Sequence, residues 1–398
     1  MSIHGLAPNV ANTGPSHFNI LDVIRPNILA LHPYRCAHED YQTGILLDAN
    51  ENAFGHSIQG TVGLYSDAPF NDDLHHYPDP TQYKLKSRIA VLRGLPENAV
   101  DHIFLGVCVA PGRDKVITTP PTYGMYGVCA QINDVGVVEC PLELSGANGE
   151  GGEHGRFSLQ LTAIKAAIEA DPAIKLILIC SPGNPTSTLI PRSVIRELLD
   201  YPKFKGIVVV DEAYIDFASP DASAMSLIQE YGNICVMQTI SKSFGLAGVR
   251  LGIAIAQPPL IQVLANAKAP YNISTPTSYI ALSALSQPSI VAMRASLAKI
   301  NVNRASLLKA LSSVPGVGSA IGGSDANFIL VPILDQEGQR PDNERAQRMY
   351  RLLAEENGVV VRFRGNEPGC LGCVRITVGT EEENAVVVAK MRKVLSEI

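Results

Sequence analysis

Lys242 and Arg250, within the stretch Thr239–Arg250 (TISKSFGLAGVR), are the only charged residues between Glu230 and Lys268. Apolar runs flank them at Ile234–Met237 and Leu251–Ala256. Burying an ammonium is costly unless a partner neutralises it or its pKa falls, and a lysine so placed is the type that forms Schiff bases with carbonyl compounds. The pattern predicts that both cations are embedded in apolar surroundings and that Lys242 carries the chemistry. A solvated loop lysine, the commonest fate of this residue type, is the bland alternative.

Other groups collect in the same way, each just past a buried run. Asn184 follows LILIC in SPGNPTS, Asp211 and Tyr214 follow IVVV, and Ser241 with Lys242 follows the run at 234. Ligands in open α/β sheets bind beyond the carboxyl ends of the strands, so three successive strand–helix units deliver an amide, a carboxylate and a lysine to one edge. A single aspartate there could merely cap the next helix; three coincident groups favour a site. Together they suit pyridoxal 5'-phosphate, which needs a lysine and a carboxylate that keeps its ring nitrogen protonated, so that the ring acts as an electron sink. Asp211 fits the ring nitrogen, Asn184 and Tyr214 the phenolic oxygen, and Ser241 and Arg250 the phosphate. Tyr123, in PPTYGMY, could stack on the ring.

The elements that must position these groups read as an α/β fold. Buried strands are predicted at Ile103–Val107, Val116–Thr119, Val135–Glu139, Leu176–Cys180, Ile207–Val210, Ile234–Met237 and Leu251–Ala256, spaced by helix-sized segments such as 158–170. Continuous apolar runs so spaced imply a large domain with a mostly parallel, seven-stranded-type sheet. Upstream, a short helix-like piece ends near Pro33, a strand is predicted at Ile45–Leu47, HHYPDP forms a turn presenting Tyr77, and Leu85–Leu92 is a helix. After Ser283 the texture becomes that of a smaller α+β domain. It has a helix with Ser289 as N-cap, a strand at Asn327–Val331, a helix at Glu344–Asn357, the strands VVVRF and CVRITV, and a last helix opened by a Thr380–Glu383 capping box. That last helix is predicted to bury Ala385, Val388, Met391, Leu395 and Ile398. The domain limits read as an arm at 1–45, a large domain at 46–285 and a small domain at 286–398.

Composition narrows the class. With 398 residues, 46% hydrophobic and 18% charged, the chain has the profile of an ordinary globular protein of up to two domains. A net charge of -6 supplies no basic footprint for nucleic acid or an anionic membrane, no apolar run is long enough to span a bilayer, and no targeting segment is evident, so a cytoplasmic small-molecule enzyme is expected. The eight cysteines are scattered, which suits a reducing compartment. Cys370 and Cys373 form one CxxC without a second pair or a nearby histidine, and no metal site is expected.

SPGNPTS, VVVDEAYIDF and TISKSFGLAGVRLG, in this order, resemble the fold-type I, class-II pyridoxal-phosphate-dependent aminotransferases. LDANENAFG, HYPDP, PPTYGMY, PYNISTPTS and CVRITVGT narrow the resemblance to histidinol-phosphate aminotransferases of the fungal kind, from about Asp22 to the C-terminus. The resemblance implies Lys242 as the Schiff-base lysine and proton shuttle, with Tyr123, Asn184, Asp211, Tyr214, Ser241 and Arg250 as cofactor contacts. It also implies a homodimer in which Tyr77 reaches the partner's cofactor phosphate and Tyr34 closes over the partner's substrate, the arm at 1–45 packing against the small domain and the partner. Arg362 and Arg375 resemble the substrate arginines, whose guanidinium forks can grip a phosphate or a carboxylate. The reaction implied is exchange of an amino group between L-histidinol phosphate and 2-oxoglutarate, giving imidazole acetol phosphate and L-glutamate, in histidine biosynthesis. Alternatives are an aromatic amino acid aminotransferase or phospho-amino-acid decarboxylase of the same fold, or a non-catalytic homologue.

In one place the sequence departs from that family. Its members follow the FLGV strand with a Gly-Ser-Asp-Glu type turn and a helix whose N-terminus cradles the cofactor phosphate. Here the chain reads IFLGVCVAPGRDKVITT, and only Cys108–Asp114, with Pro111 and Gly112 inside, separate the two strands. A parallel crossover with its helix needs at least roughly ten to twelve residues, so the helix is predicted to be absent, and with it an anion site. Impaired cofactor binding and activity follow as expectations.

Overall fold

The computed structural model describes residues 3–7, 10, 13–33, 78–79, 81–105, 114–144 and 155–398. Tyr34, Tyr77, the strand predicted at Ile45–Leu47 and the departure at 108–113 lie outside the described residues.

Among the described residues twelve strands run in chain order: β1 (Ile103–Leu105), β2 (Lys115–Thr118), β3 (Gly136–Glu139), β4 (Glu143–Leu144), β5 (Phe157–Ser158), β6 (Ile174–Cys180), β7 (Ile207–Asp211), β8 (Ile234–Thr239), β9 (Gly252–Ala256), β10 (Phe328–Pro332), β11 (Arg362–Phe363) and β12 (Cys373–Thr377). All seven strands predicted from the apolar runs form, and seven strands make one mostly parallel mixed sheet, as the α/β reading requires. The chain divides into two compact units, Met1–Thr13, Asn19–Cys108 and Thr239–Ala292 forming the first and Gly14–Phe18, Val109–Gln238 and Met293–Ile398 the second.

In the first unit β1 pairs antiparallel with β9, placing Ile103 opposite Ile255. Leu85 and Ile89, one helical turn apart on the helix Tyr83–Leu92, are each 1% exposed. The helix Pro258–Ala267 packs on both strands through a face that includes Leu260, Ile261 and Val263.

In the second unit β8, β7, β6, β2 and β3 lie side by side in that order, all parallel. Ile177, Val208, Val210, Ile234 and Val236 are completely buried. Their neighbours of opposite pleat, Leu176 and Leu178, are half-buried. Each completely buried Val or Ile contributes roughly 1.5–3 kcal/mol relative to exposure, which explains why these strands tolerate so little polar alternation. Gly206 leads into β7 because any Cβ there would meet the Lys175 carbonyl oxygen at 2.2 Å.

The antiparallel order β10-β12-β11 forms the second sheet of this unit. Ile329, Val331, Val374 and Ile376 point to one face and join Met349, Leu353, Met391 and Leu395 from the helices Asn343–Glu356 and Glu381–Glu397. The Thr380–Glu383 capping box is present.

Three sequence expectations change. The segment 158–170 begins as strand, because Ser158 pairs with Glu143, and its helix spans Leu161–Ala170. Ser289 lies inside the helix Gln287–Leu311, with Pro288 in its first turn, and its hydroxyl donates to the Ser283 carbonyl at 2.9 Å. Ala385 is exposed; Asn384 is buried instead, its Oδ1 accepting from Gly379 N at 2.9 Å and so satisfying the loop that leads into the last helix.

Candidate active site

β7 ends on Asp211, and its carboxylate is fixed from two sides. Oδ1 accepts from the Ala213 amide at 3.1 Å, and Oδ2 accepts from the Tyr126 hydroxyl at 2.7 Å. Tyr126 lies on the helix Met125–Ile132 and is 8% exposed. Burial, then Cys180 and Asp211, hold its phenol well above the ordinary tyrosine range, so it remains a protonated donor. Cys180 stands opposite Asp211 across β6 and β7, and burial with the nearby Asp211 pushes its thiol up to about 12. Tyr126 and Cys180 beside the carboxylate are thus both neutral.

Asn184 lies in the loop after β6 and is buried. Its Oδ1 accepts from Arg375 Nη1 at 2.5 Å. Arg375 comes from β12, opposite Leu330 of β10, and its guanidinium stands 5.2 Å from the centre of the Phe328 ring. Tyr214 meets the same ring edge-on at 5.0 Å. Burial, then Cys180, pushes the Tyr214 phenol up to about 12. Tyr123 is exposed and makes an edge contact with Tyr126 at 5.6 Å.

The loop that carries Asn184 is pinned by residues far along the chain. Gly323 N donates to Thr186 O at 2.8 Å and Asp325 N to Ser187 O at 3.0 Å. Ala326 N donates to Ser187 Oγ at 2.9 Å, while Asp325 Oδ2 accepts from Leu189 N at 2.9 Å and from Arg156 at 2.7 Å. Gly322, with φ +81°, must be glycine, since a Cβ would stand 1.9 Å from the Thr186 carbonyl oxygen.

In the first unit the segment after β8 holds the remaining groups. The Thr239 hydroxyl accepts from Ser241 N at 3.1 Å and lies 2.9 Å from both Ser241 Oγ and Leu251 O. Arg250 adopts a left-handed conformation with φ +59° and donates to Ala247 O at 2.9 Å. Lys242 and Arg250 are both exposed, which corrects the expectation that the two cations are embedded. The apolar flanks belong to β8 and β9, and the cations stand on the connection beyond the strand ends.

The structure therefore brings Tyr123, Asn184, Asp211, Tyr214 and Arg375 into one network of the second unit, with Arg362 paired opposite Arg375 across β11 and β12. Ser241, Lys242 and Arg250 belong to the first unit. The sequence reading passed over Tyr126, Cys180 and Phe328, although Tyr126 lies within the quoted PPTYGMY. It also passed over Glu212, a 2%-exposed carboxylate that accepts from Ser223 Oγ at 2.6 Å, Ala224 N at 2.6 Å and Gln238 Nε2 at 2.8 Å.

The donor set fits pyridoxal phosphate. A carboxylate oriented by two donors suits a protonated ring nitrogen, an amide and a neutral phenol suit a phenolate oxygen, and an exposed tyrosine offers a stacking surface. The connection after β8 carries a lysine, a hydroxyl and a guanidinium, the residue types that imine formation and phosphate binding call for.

A mostly parallel sheet with these groups after its strands is the architecture of the fold-type I aminotransferases. The chain belongs to the Aminotransferase class I and II family, which matches residues 42–391. It is 44% identical over 399 aligned residues to the histidinol-phosphate aminotransferase of Schizosaccharomyces pombe, covering 96% of this chain and 98% of that one. The histidinol-phosphate aminotransferase of Saccharomyces cerevisiae is 41% identical, with 95% and 98% covered. Among solved structures, the histidinol-phosphate aminotransferase of Sinorhizobium meliloti in complex with pyridoxal-5'-phosphate superposes with a TM-score of 0.68 at 22% identity, over 88% of this chain and 90% of that one.

Proposed function

We propose that this chain exchanges the amino group between L-histidinol phosphate and 2-oxoglutarate, with pyridoxal 5'-phosphate as cofactor, in histidine biosynthesis. The observation that carries the reading is the 44% identity to the fission-yeast histidinol-phosphate aminotransferase over nearly the full length of both chains.

When bound, pyridoxal phosphate would supply an acceptor for the amino group and a sink for the electrons left behind when the α-proton departs. The chain's residues do the rest. Lys242 Nζ removes that proton as general base and returns it as general acid. The Asp211 carboxylate holds a proton on the ring nitrogen, aligned by Tyr126 and the Ala213 amide. Asn184 and Tyr214 would donate to the phenolic oxygen, Tyr123 would offer a stacking face, and Ser241 and Arg250 would hold the phosphate. Arg375 and Arg362 hold the distal anion of the substrate, phosphate in one half-reaction and carboxylate in the other. The domain limits 1–45, 46–285 and 286–398, a homodimer with Tyr34 and Tyr77 acting across it, and a cytoplasmic location complete the proposal. Among the described residues no helix is long and apolar enough to cross a membrane.

Mixing the cofactor-loaded protein with histidinol phosphate alone should shift the cofactor's absorbance, and adding 2-oxoglutarate should restore it. Reaction with glutamate but not with histidinol phosphate overturns the substrate assignment. Reaction with an aromatic amino acid alone, or release of carbon dioxide from a phosphorylated one, points to the other activities of the fold, and no spectral change with any amine to a non-catalytic homologue.

A further inference from the structure

Two residues beyond Arg362, the backbone amide of Arg364 donates to the Cys373 carbonyl at 2.8 Å and prolongs the pairing of β11 with β12. Pleat alternation puts the side chains of Arg362 and Arg364 on the Arg375 side of this sheet. Arg364 Nη1 meets Glu367 Oε1 at 2.8 Å, with only 22% and 24% of the two side chains exposed. We propose that Arg364 is a third anion-binding guanidinium of the substrate site, held by Glu367 while a carboxylate substrate is bound and handed to the phosphate when a phosphorylated substrate enters.

Three observations support this. The Nε atoms of Arg364 and Arg375 are both buried without a hydrogen-bond partner, so each fork has a donor left for a ligand. Arg375 donates to the Asn184 amide oxygen and not to an acid, which leaves its charge uncompensated by a hydrogen-bonded carboxylate. Three guanidinium groups and one carboxylate carry a net charge of about two positive units, the complement of a phosphate dianion, whereas Arg362 and Arg375 alone suffice for a carboxylate.

The ion pair is also poised to open. Burial raises the Glu367 carboxyl although Arg364 and Arg375 both pull it down, so the carboxylate is imperfectly repaid for its desolvation. Arg375 in turn is lowered first by burial and then by the charge of Arg364, whose side chain shares its face of the sheet. A dianion entering between them relieves that repulsion.

The inference rests on the reading that the substrate carries a phosphate, and its test separates the two. In the cofactor-loaded enzyme, Arg364→Gln should raise KM for histidinol phosphate about 10- to 100-fold, as expected for lost charge-assisted hydrogen bonds, with a far smaller rise for glutamate and little change in kcat. Arg364→Lys should recover only part of the loss, because an ammonium lacks the fork. Glu367→Gln should lower KM for histidinol phosphate and leave that for glutamate nearly unchanged. Inorganic phosphate should compete with glutamate, and Arg364→Gln should weaken that inhibition about tenfold. Equal KM rises for both substrates, or no change, overturn the role of Arg364. If Arg364→Gln does not fold, Glu367→Gln decides, and a rise for both substrates overturns it. Should the wild type ignore histidinol phosphate while phosphate inhibition still depends on Arg364, the substrate reading falls and the anion site stands.

Discussion

The Tyr126 hydroxyl donates to Asp211 Oδ2 at 2.7 Å, although the two residues are 85 positions apart in the chain. Hydrogen bonds to charged groups contribute about 1.5–3 kcal/mol. Tyr126→Phe keeps the ring packing and removes only that bond, so the protein should retain its far-ultraviolet circular dichroism while pyridoxal phosphate binds about tenfold more weakly by equilibrium dialysis. Unchanged affinity would show that the Ala213 amide alone orients the carboxylate.

Alkaline pH should act on the same cluster. The Tyr214 phenol is raised to about 12 in the fold against about 10 when exposed. The folded state therefore keeps its proton where the unfolded chain has lost it. The stabilisation is complete below pH 10 and disappears as pH climbs towards 12, at up to about 1.4 kcal/mol per pH unit for each such group. Thermal melts of wild type should show this fall, and Tyr214→Phe should flatten it.

Glu212 is the test of a buried charge held by neutral donors. Truncation to alanine orphans the hydroxyl of Ser223, the amide of Ala224 and the side chain of Gln238, and should cost roughly 3 kcal/mol in urea unfolding. Glu212→Gln, which keeps one acceptor oxygen, should cost clearly less. Equal losses would mean that the shape of the side chain matters more than its hydrogen bonds.

Much of this fold was legible because buried strands have no polar alternation to hide them; the seven apolar runs each returned a strand, although β3, expected to be buried, is largely exposed. Asp211, Asn184 and Tyr214 stand out in the sequence because each lies within a few residues of the end of such a run. Tyr126 does not, since its role depends on a hydroxyl from a helix packed on β2 and β3 reaching the end of β7, a proximity that spacing does not encode. The exposure of Lys242 and Arg250 was misread for a related reason. Apolar neighbours in sequence report the burial of β8 and β9, and the connection between them follows different rules. Arg364 escaped notice because an arginine two residues from another looks like surface until pairing with β12 puts both beside Arg375.

The short segment Cys108–Asp114 bears on affinity. A charge at a helix N-terminus is stabilised by up to about 2 kcal/mol, or about thirtyfold in binding. Pyridoxal phosphate should therefore dissociate from this chain measurably during gel filtration, and a version carrying the family's turn and helix after Val107 should retain it. Equally tight retention by both would show that other donors hold the phosphate.

The pins between the Asn184 loop and Gly323–Ala326 set the order of events on the ribosome. When Arg250 emerges, every predicted cofactor contact has been translated, yet the hydrogen bonds that fix residues 186–189 still await the stretch Gly323–Ala326. Phe328, on which Tyr214 and Arg375 both rest, comes later again. A nascent or prematurely terminated chain that stops before this point has the right residues and an unfinished site, and it is exposed to proteolysis until the C-terminal third arrives.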